Sequence, residues 1–280
     1  MAILRGAALT IGVGLALACG PPPPRSVELA TTTSVQNSGL LDSVRPAAEA
    51  ATGLLIRVHA AGSGRALQML ANGAVDAVIS HAPDTEQRLL VEHPGWSYRK
   101  IAYNAFVVVG PRSDPARLRE SRDIVDAFQR IADSGSTFVS RGDESGTHER
   151  EDTFWKAAGR RPAGGRLIVS GRGMAQALRH ADEAQAYTLT DAPTFWQVGD
   201  GLDLQILFDG DPRLMNTYAL VHRRDRPEAL ALAEWIHSAA GRAAMAAFTI
   251  DGRRGFEPWP EGCAAAAPAA LPCAPSKSAP

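Results

Sequence analysis

Aromatic side chains are scarce in this chain, 6% of 280 residues, and none cluster into a platform on which bases would stack. Charge of either sign is not in excess: the net charge is −1. These two absences argue against a nucleic-acid partner and against a membrane-surface binder working through bulk electrostatics. Cysteine is nearly missing, with three in all. With no CxxC pair and no two histidines at ligand spacing, a zinc site is the weaker reading and no metal ligands are assigned. The apolar run 7–18 falls short of the about 20 residues that span a bilayer, and no internal repeat is found. What is present, 45% hydrophobic and 21% charged residues, is the composition of an ordinary soluble globular chain, long enough for two modest lobes.

The N-terminus reads as an export leader, 1–18. Arg5 supplies the positive start, 7–18 the apolar run, and Ala16-Leu17-Ala18 the small residues before cleavage. Two processing routes fit. An ordinary signal peptidase would release a free protein, whereas a lipobox, matched imperfectly, would make Cys19 the lipidated first residue. The second is favoured, because Gly20 and Pro21 to Pro24 form a stiff tether, 19–25, suited to holding a domain off a membrane. Cys263 and Cys273 then remain to close a disulfide loop in an oxidising compartment. The tail 263–280 is Ala/Pro-rich, of low complexity and expected to be poorly ordered.

The chemistry-bearing segment is Phe138-Val139-Ser140-Arg141-Gly142-Asp143-Glu144-Ser145-Gly146-Thr147-His148. A short strand leads to a guanidinium, a glycine turn and small hydroxyl residues that open a helix. A helix N-terminus offers unpaired N–H groups and partial positive charge, and Arg141 adds a permanent cation with a planar donor fork. Two further junctions share the pattern. Residues 27–30 run into Thr31-Thr32-Thr33-Ser34, and 54–60 run into Gly62-Ser63-Gly64. Three such junctions suggest donors converging on one small, oxygen-rich ligand.

Between tether and tail, strand-like and helical patterns alternate, predicting parallel α/β layers. Strands are expected near 55–59, 77–80, 106–109, 138–139, 167–169, 186–189, 204–208 and 218–221. Helices are expected near 40–51, 65–72, 86–92, 121–134, 145–158, 174–181 and 227–237. The long extended stretches 99–111 and 216–223 are candidates for strands that cross between lobes. The first lobe is then discontinuous, 26–105 with a return at 217–262, and the second lobe is 106–216.

In order along the mature chain, these residues resemble the tungstate-binding proteins of ABC importers, solute receptors of the periplasmic binding protein class. The resemblance is carried by Thr31-Thr32-Thr33-Ser34, Asn37-Ser38-Gly39-Leu40-Leu41-Asp42, Gly62-Ser63-Gly64-Arg65-Ala66-Leu67 and Tyr103-Asn104. It continues through Phe106 to Pro111, Val139 to His148 and Ala186-Tyr187-Thr188-Leu189-Thr190-Asp191. It implies a two-lobed α/β fold, each lobe a mostly parallel sheet flanked by helices, with the ligand between lobes. It implies a monomer that is exported to the periplasm, needs no cofactor, binds tungstate or molybdate and docks on an inner-membrane permease. By matching motif, the ligand-binding positions are Thr32, Thr33, Ser34, Ser63, Gly64, Arg141, Ser145, Gly146 and Thr147. The chain departs from the pattern twice. Ser63 and Arg65 stand where the family usually has Thr and Gln. Asp191-Ala192-Pro193-Thr194 replaces Asp-Arg-Gly-Thr, so one arginine is missing, and Arg65 is the candidate to compensate.

A phosphate receptor is the alternative, with Asp143 accepting the proton that phosphate carries at neutral pH. A secreted hydrolase is the distant one. Ser63 and Ser145 lie outside Gly-x-Ser-x-Gly, and Gly62-x-Gly64 lacks the third glycine of a dinucleotide turn. His81 and His148 are isolated, and no catalytic residue is assigned.

Overall fold

The computed structural model describes residues 24–273. The leader 1–18, Cys19 and most of the tether lie outside the described residues. The first strand, β1 (Ser26–Thr32), is buried almost throughout, as a parallel strand covered on both faces must be. It passes without a loop into α1 (Thr33–Ser38), followed by α2 (Leu40–Thr52), β2 (Leu55–Ala61), α3 (Ser63–Ala71), β3 (Ala77–Ser80) and α4 (Pro83–Glu92). Strands β2 and β3 flank β1, both parallel to it.

The chain then forms β4 (Trp96–Pro111), one strand that serves two sheets. After it come α5 (Ile124–Asp133), β5 (Phe138–Ser140), α6 (Gly146–Ala158), β6 (Leu167–Val169), α7 (Met174–Glu183), β7 (Tyr187–Asp191), α8 (Ala192–Val198) and β8 (Leu204–Phe208). In α5, Ile124, Ala127, Phe128 and Ile131 are buried, one stripe at helical spacing. Strand β5 pairs in parallel with β6 and β7, while β7 and β8 pair antiparallel with Phe106–Pro111 of β4. The chain returns through β9 (Met215–Arg223), antiparallel to β3 and to Trp96–Ala105 of β4. It closes with α9 (Pro227–His237), α10 (Ala239–Ala247) and the short strands β10 (Thr249–Ile250), β11 (Arg253–Arg254) and β12 (Glu257–Pro258).

The continuous order is β2-β1-β3-β9-β4-β7-β5-β6. In the first half, residues of α2, α9 and α10 form the core on one face and residues of α3 and α4 on the other. In the second half, α5 and α6 cover one face and α7 and α8 the other. Parallel strands end in polar residues where the halves meet: Thr32, Ser80, Ser140 and Asp191. That edge is where open α/β sheets bind ligands.

The tail differs from expectation. Through residue 273 it is placed against the body, with Cys263 bonded to Cys273. The backbone N–H of Lys100 donates to the Ala265 carbonyl at 2.8 Å, and that of Trp259 to the Ile101 carbonyl at 2.8 Å. The low-complexity alanines give small side chains that let the backbone lie along β4, with Trp259 buried beside them. Among the described residues, no helix is long and apolar enough to cross a membrane.

Candidate functional site

All nine candidate positions lie in one connected group between the halves. Thr32 caps α1, its Oγ1 accepting Val35 N–H at 3.2 Å, and Ser34 is buried in the following turn. Thr33 Oγ1 accepts from Arg141 Nη2 at 3.4 Å across the cleft. Ser63, at the start of α3, accepts the backbone N–H of His81 at 3.3 Å, and Gly64 N–H donates to Glu144 O at 3.4 Å. Ser145 caps α6 by accepting His148 N–H at 3.3 Å. Gly146 and Thr147 open that helix, both buried.

Arg141 is the centre of the group. Its side chain is only 1% exposed, and its Nε and Nη1 have no protein partner. Nη2 donates to Asp143 Oδ2, whose other oxygen accepts Ser145 N–H at 3.3 Å. The backbone turns sharply to aim these groups: Gly142 has φ +55°, a conformation that suits glycine. Thr147 Oγ1 is likewise buried without a partner. A buried cation and hydroxyl lacking acceptors cost free energy until something supplies them. Two guanidinium nitrogens and a hydroxyl are thereby left able to donate, the chemistry that an oxyanion accepts.

Gly146 requires the absence of a side chain. A Cβ there would overlap the His81 carbonyl oxygen, so α6 starts against the backbone that follows β3.

Several participants were not among the nine candidates. His81 is buried, stacked on Tyr218 at 5.0 Å, with Nδ1 2.9 Å from Asn216 Oδ1. Burial pushes its pKa down to about 4, with Arg141 adding to the effect. Asn216 in turn donates to Asn104 Oδ1 at 2.9 Å and to the Tyr218 hydroxyl at 2.8 Å. This chain of contacts joins β4 and β9 to the start of α6. Asp191 caps α8, accepting Thr194 N–H and Oγ1–H at 3.1 and 2.8 Å. Burial raises its pKa against those bonds. Thr194 Oγ1 also lies 3.3 Å from Ser34 O, sharing its one proton between the two acceptors. The Asp191-Ala192-Pro193-Thr194 departure is therefore a helix cap that braces α1. Its Asp-x-x-Thr spacing with proline in the first turn was the available signal. Arg65 is exposed and lines the two outer clefts, of about 660 and 700 Å³.

Residues 21–240 match the PBP superfamily domain. The tungstate-binding protein TupA of Peptoclostridium acidaminophilum is 38% identical over 222 residues, covering 76% of this chain and 78% of that one. The chain belongs to the tungstate-binding protein family. Two solved structures of that family resemble it in three dimensions. The tungstate ABC transporter protein of Geobacter sulfurreducens is 34% identical with TM-score 0.73, covering 80% of this chain and 98% of its own. TupA of Desulfovibrio alaskensis is 31% identical with TM-score 0.67, covering 84% and 98%.

Proposed function

We propose that this family member binds tungstate, and molybdate as its near equivalent in size and charge, between two lobes and delivers it to an ABC permease. The lobes are 26–105 with 217–262, and 106–216. The observation that carries the reading is Arg141: a fully buried guanidinium with two nitrogens unpartnered, joined through Asp143 to the start of α6, where the Thr147 hydroxyl is also unpartnered. A dianion held there receives donors from Arg141 to Thr147 on one side and from Thr32–Ser34 and Ser63–Gly64 on the other. It favours the closed form to the extent that it touches both. Export rests on the leader 1–18, with Cys19 the proposed lipid anchor, and the receptor is proposed to act as a monomer.

Size separates tungstate from the smaller sulfate. Against phosphate weighs the engagement of Asp143: its two oxygens accept from Arg141 and Ser145 N–H, so the carboxylate serves to orient the site's own donors. Binding is also favoured over hydrolysis. Ser63 and Ser145 accept backbone N–H bonds, while the imidazoles of His81 and His148 engage Asn216 and Glu144 N–H.

The test is calorimetric titration of protein stripped by unfolding and refolding, with tungstate, molybdate, sulfate and phosphate. Tight binding of the first two alone is expected. In Arg141→Lys the loss should be at least about 100-fold, since a point ammonium cannot replace two charge-assisted bonds of a planar fork. Binding of phosphate alone would transfer the protein to the phosphate-receptor class, and binding of none of the four would overturn the oxyanion reading.

A further inference from the structure

Helix α4 begins without a cap of its own. Ala82 precedes it, Pro83 occupies the first turn, and no side chain at the cap position accepts a hydrogen bond. Glu86 reaches back to Ala82 N–H at 3.0 Å, which leaves the amides of Asp84 and Thr85 to be satisfied. Their acceptor comes from the other half of the molecule. Glu149 Oε1 accepts Asp84 N–H at 2.9 Å, and Glu149 Oε2 accepts Thr85 N–H at 3.2 Å and Thr85 Oγ1–H at 2.8 Å. A carboxylate at a helix N-terminus is favoured both by these bonds and by the helix dipole.

Glu149 lies one turn into α6, the helix whose start holds Ser145, Gly146 and Thr147. The two ends of one short stretch thus face different tasks: the first residues address the ligand, and the fourth addresses the opposite lobe. We propose that Glu149 is a positioning residue for ligand retention, a clasp whose carboxylate caps α4 only when the cleft is shut. The proposal rests on the two-lobed receptor reading above. Opening the cleft removes all three bonds at once and returns two amides, a hydroxyl and a carboxylate to water. The clasp touches no ligand, so it acts on escape rather than on recognition.

The experiment uses the full chain, wild type, Glu149→Ala and Glu149→Gln. Stopped-flow tryptophan fluorescence gives the association and dissociation rates of tungstate, and residue-resolved hydrogen exchange follows the Asp84 and Thr85 amides. Loss of a part-exposed, charge-assisted cap should raise the dissociation rate about tenfold in Glu149→Ala, with the association rate unchanged. Glu149→Gln should fall between, since its amide keeps one acceptor oxygen. In the wild type the two amides should gain protection with tungstate, and in Glu149→Ala they should not. Dissociation rates equal to wild type, or protection retained in Glu149→Ala, would overturn the clasp. Rates and exchange are read with whichever of tungstate, molybdate, sulfate and phosphate the wild type binds. A failed tungstate reading therefore shows as a change of ligand, and a failed clasp as equal rates with that ligand. Binding of none of the four overturns both.

Discussion

Glu151 lies on α6 one turn beyond Thr147, and its carboxylate turns inward to accept the backbone N–H of Arg141 at 3.1 Å. Burial pushes its pKa up from 4.5 to about 7. A carboxyl with a higher pKa folded than unfolded keeps its proton longer in the native state. Folding stability therefore falls as pH rises from about 4.5 through about 7. Glu151→Gln keeps an acceptor for Arg141 N–H and removes the ionisation. The variant should be more stable than wild type at pH 8, by on the order of 3 kcal/mol, and not at pH 5. Urea denaturation at the two pH values checks this, and equal pH slopes would refute it. At this scale the hydroxyls, glycines and Arg141 were legible because caps and turns are local in sequence. His81 and Asn216 were not, since they meet across 135 positions and neither carries a local pattern; Asn104 lay in the Tyr103-Asn104 motif but was assigned no role.

Among elements, the approach of α6 to the backbone after β3 is the tightest constraint at the site. In Gly146→Ala the new methyl would overlap His81 O, a contact that backbone atoms of two lobes relieve only by moving apart. Tungstate affinity should fall at least about 100-fold while the ligand-free melting temperature stays near wild type, because each lobe's core is untouched. Calorimetry paired with thermal denaturation checks both parts, and unchanged affinity would mean that closure does not bring these surfaces together. The longer elements were legible from periodicity, as in the buried stripe of α5. Helices α1, α8 and α10 were not. The first two have six and seven residues, too few to show a period, and α10 is built mostly of alanine, with Met245 its one large apolar side chain.

For the whole molecule, β4 is the strand that both halves share, with β9 beside it in the first half, and the C-terminal strap is tied to β4. The alternation of strands and helices was legible, and of the two extended stretches expected to cross, 99–111 falls in β4, which serves both halves, whereas 216–223 falls in β9, which pairs only in the first; the packing of the strap was hidden by its low complexity. The Cys263–Cys273 bond closes a short loop, with a sequence separation of 10, beside the Lys100–Ala265 bond. Replacing both cysteines by serine should lower stability by about 2–3 kcal/mol and leave tungstate affinity unchanged, as read by denaturation and titration. A parallel loss of affinity would show that the strap also governs β4.

Shutting the cleft around Arg141 with no anion present leaves two of its nitrogens unanswered. A penalty of about 3 kcal/mol for that state lowers the ratio of shut to open vacant receptors about a hundredfold relative to a site whose donors are all met. On the proposed reading, a transporter that senses the outline is then misled less often by an empty carrier, because the residue proposed to hold the cargo also vouches for its presence.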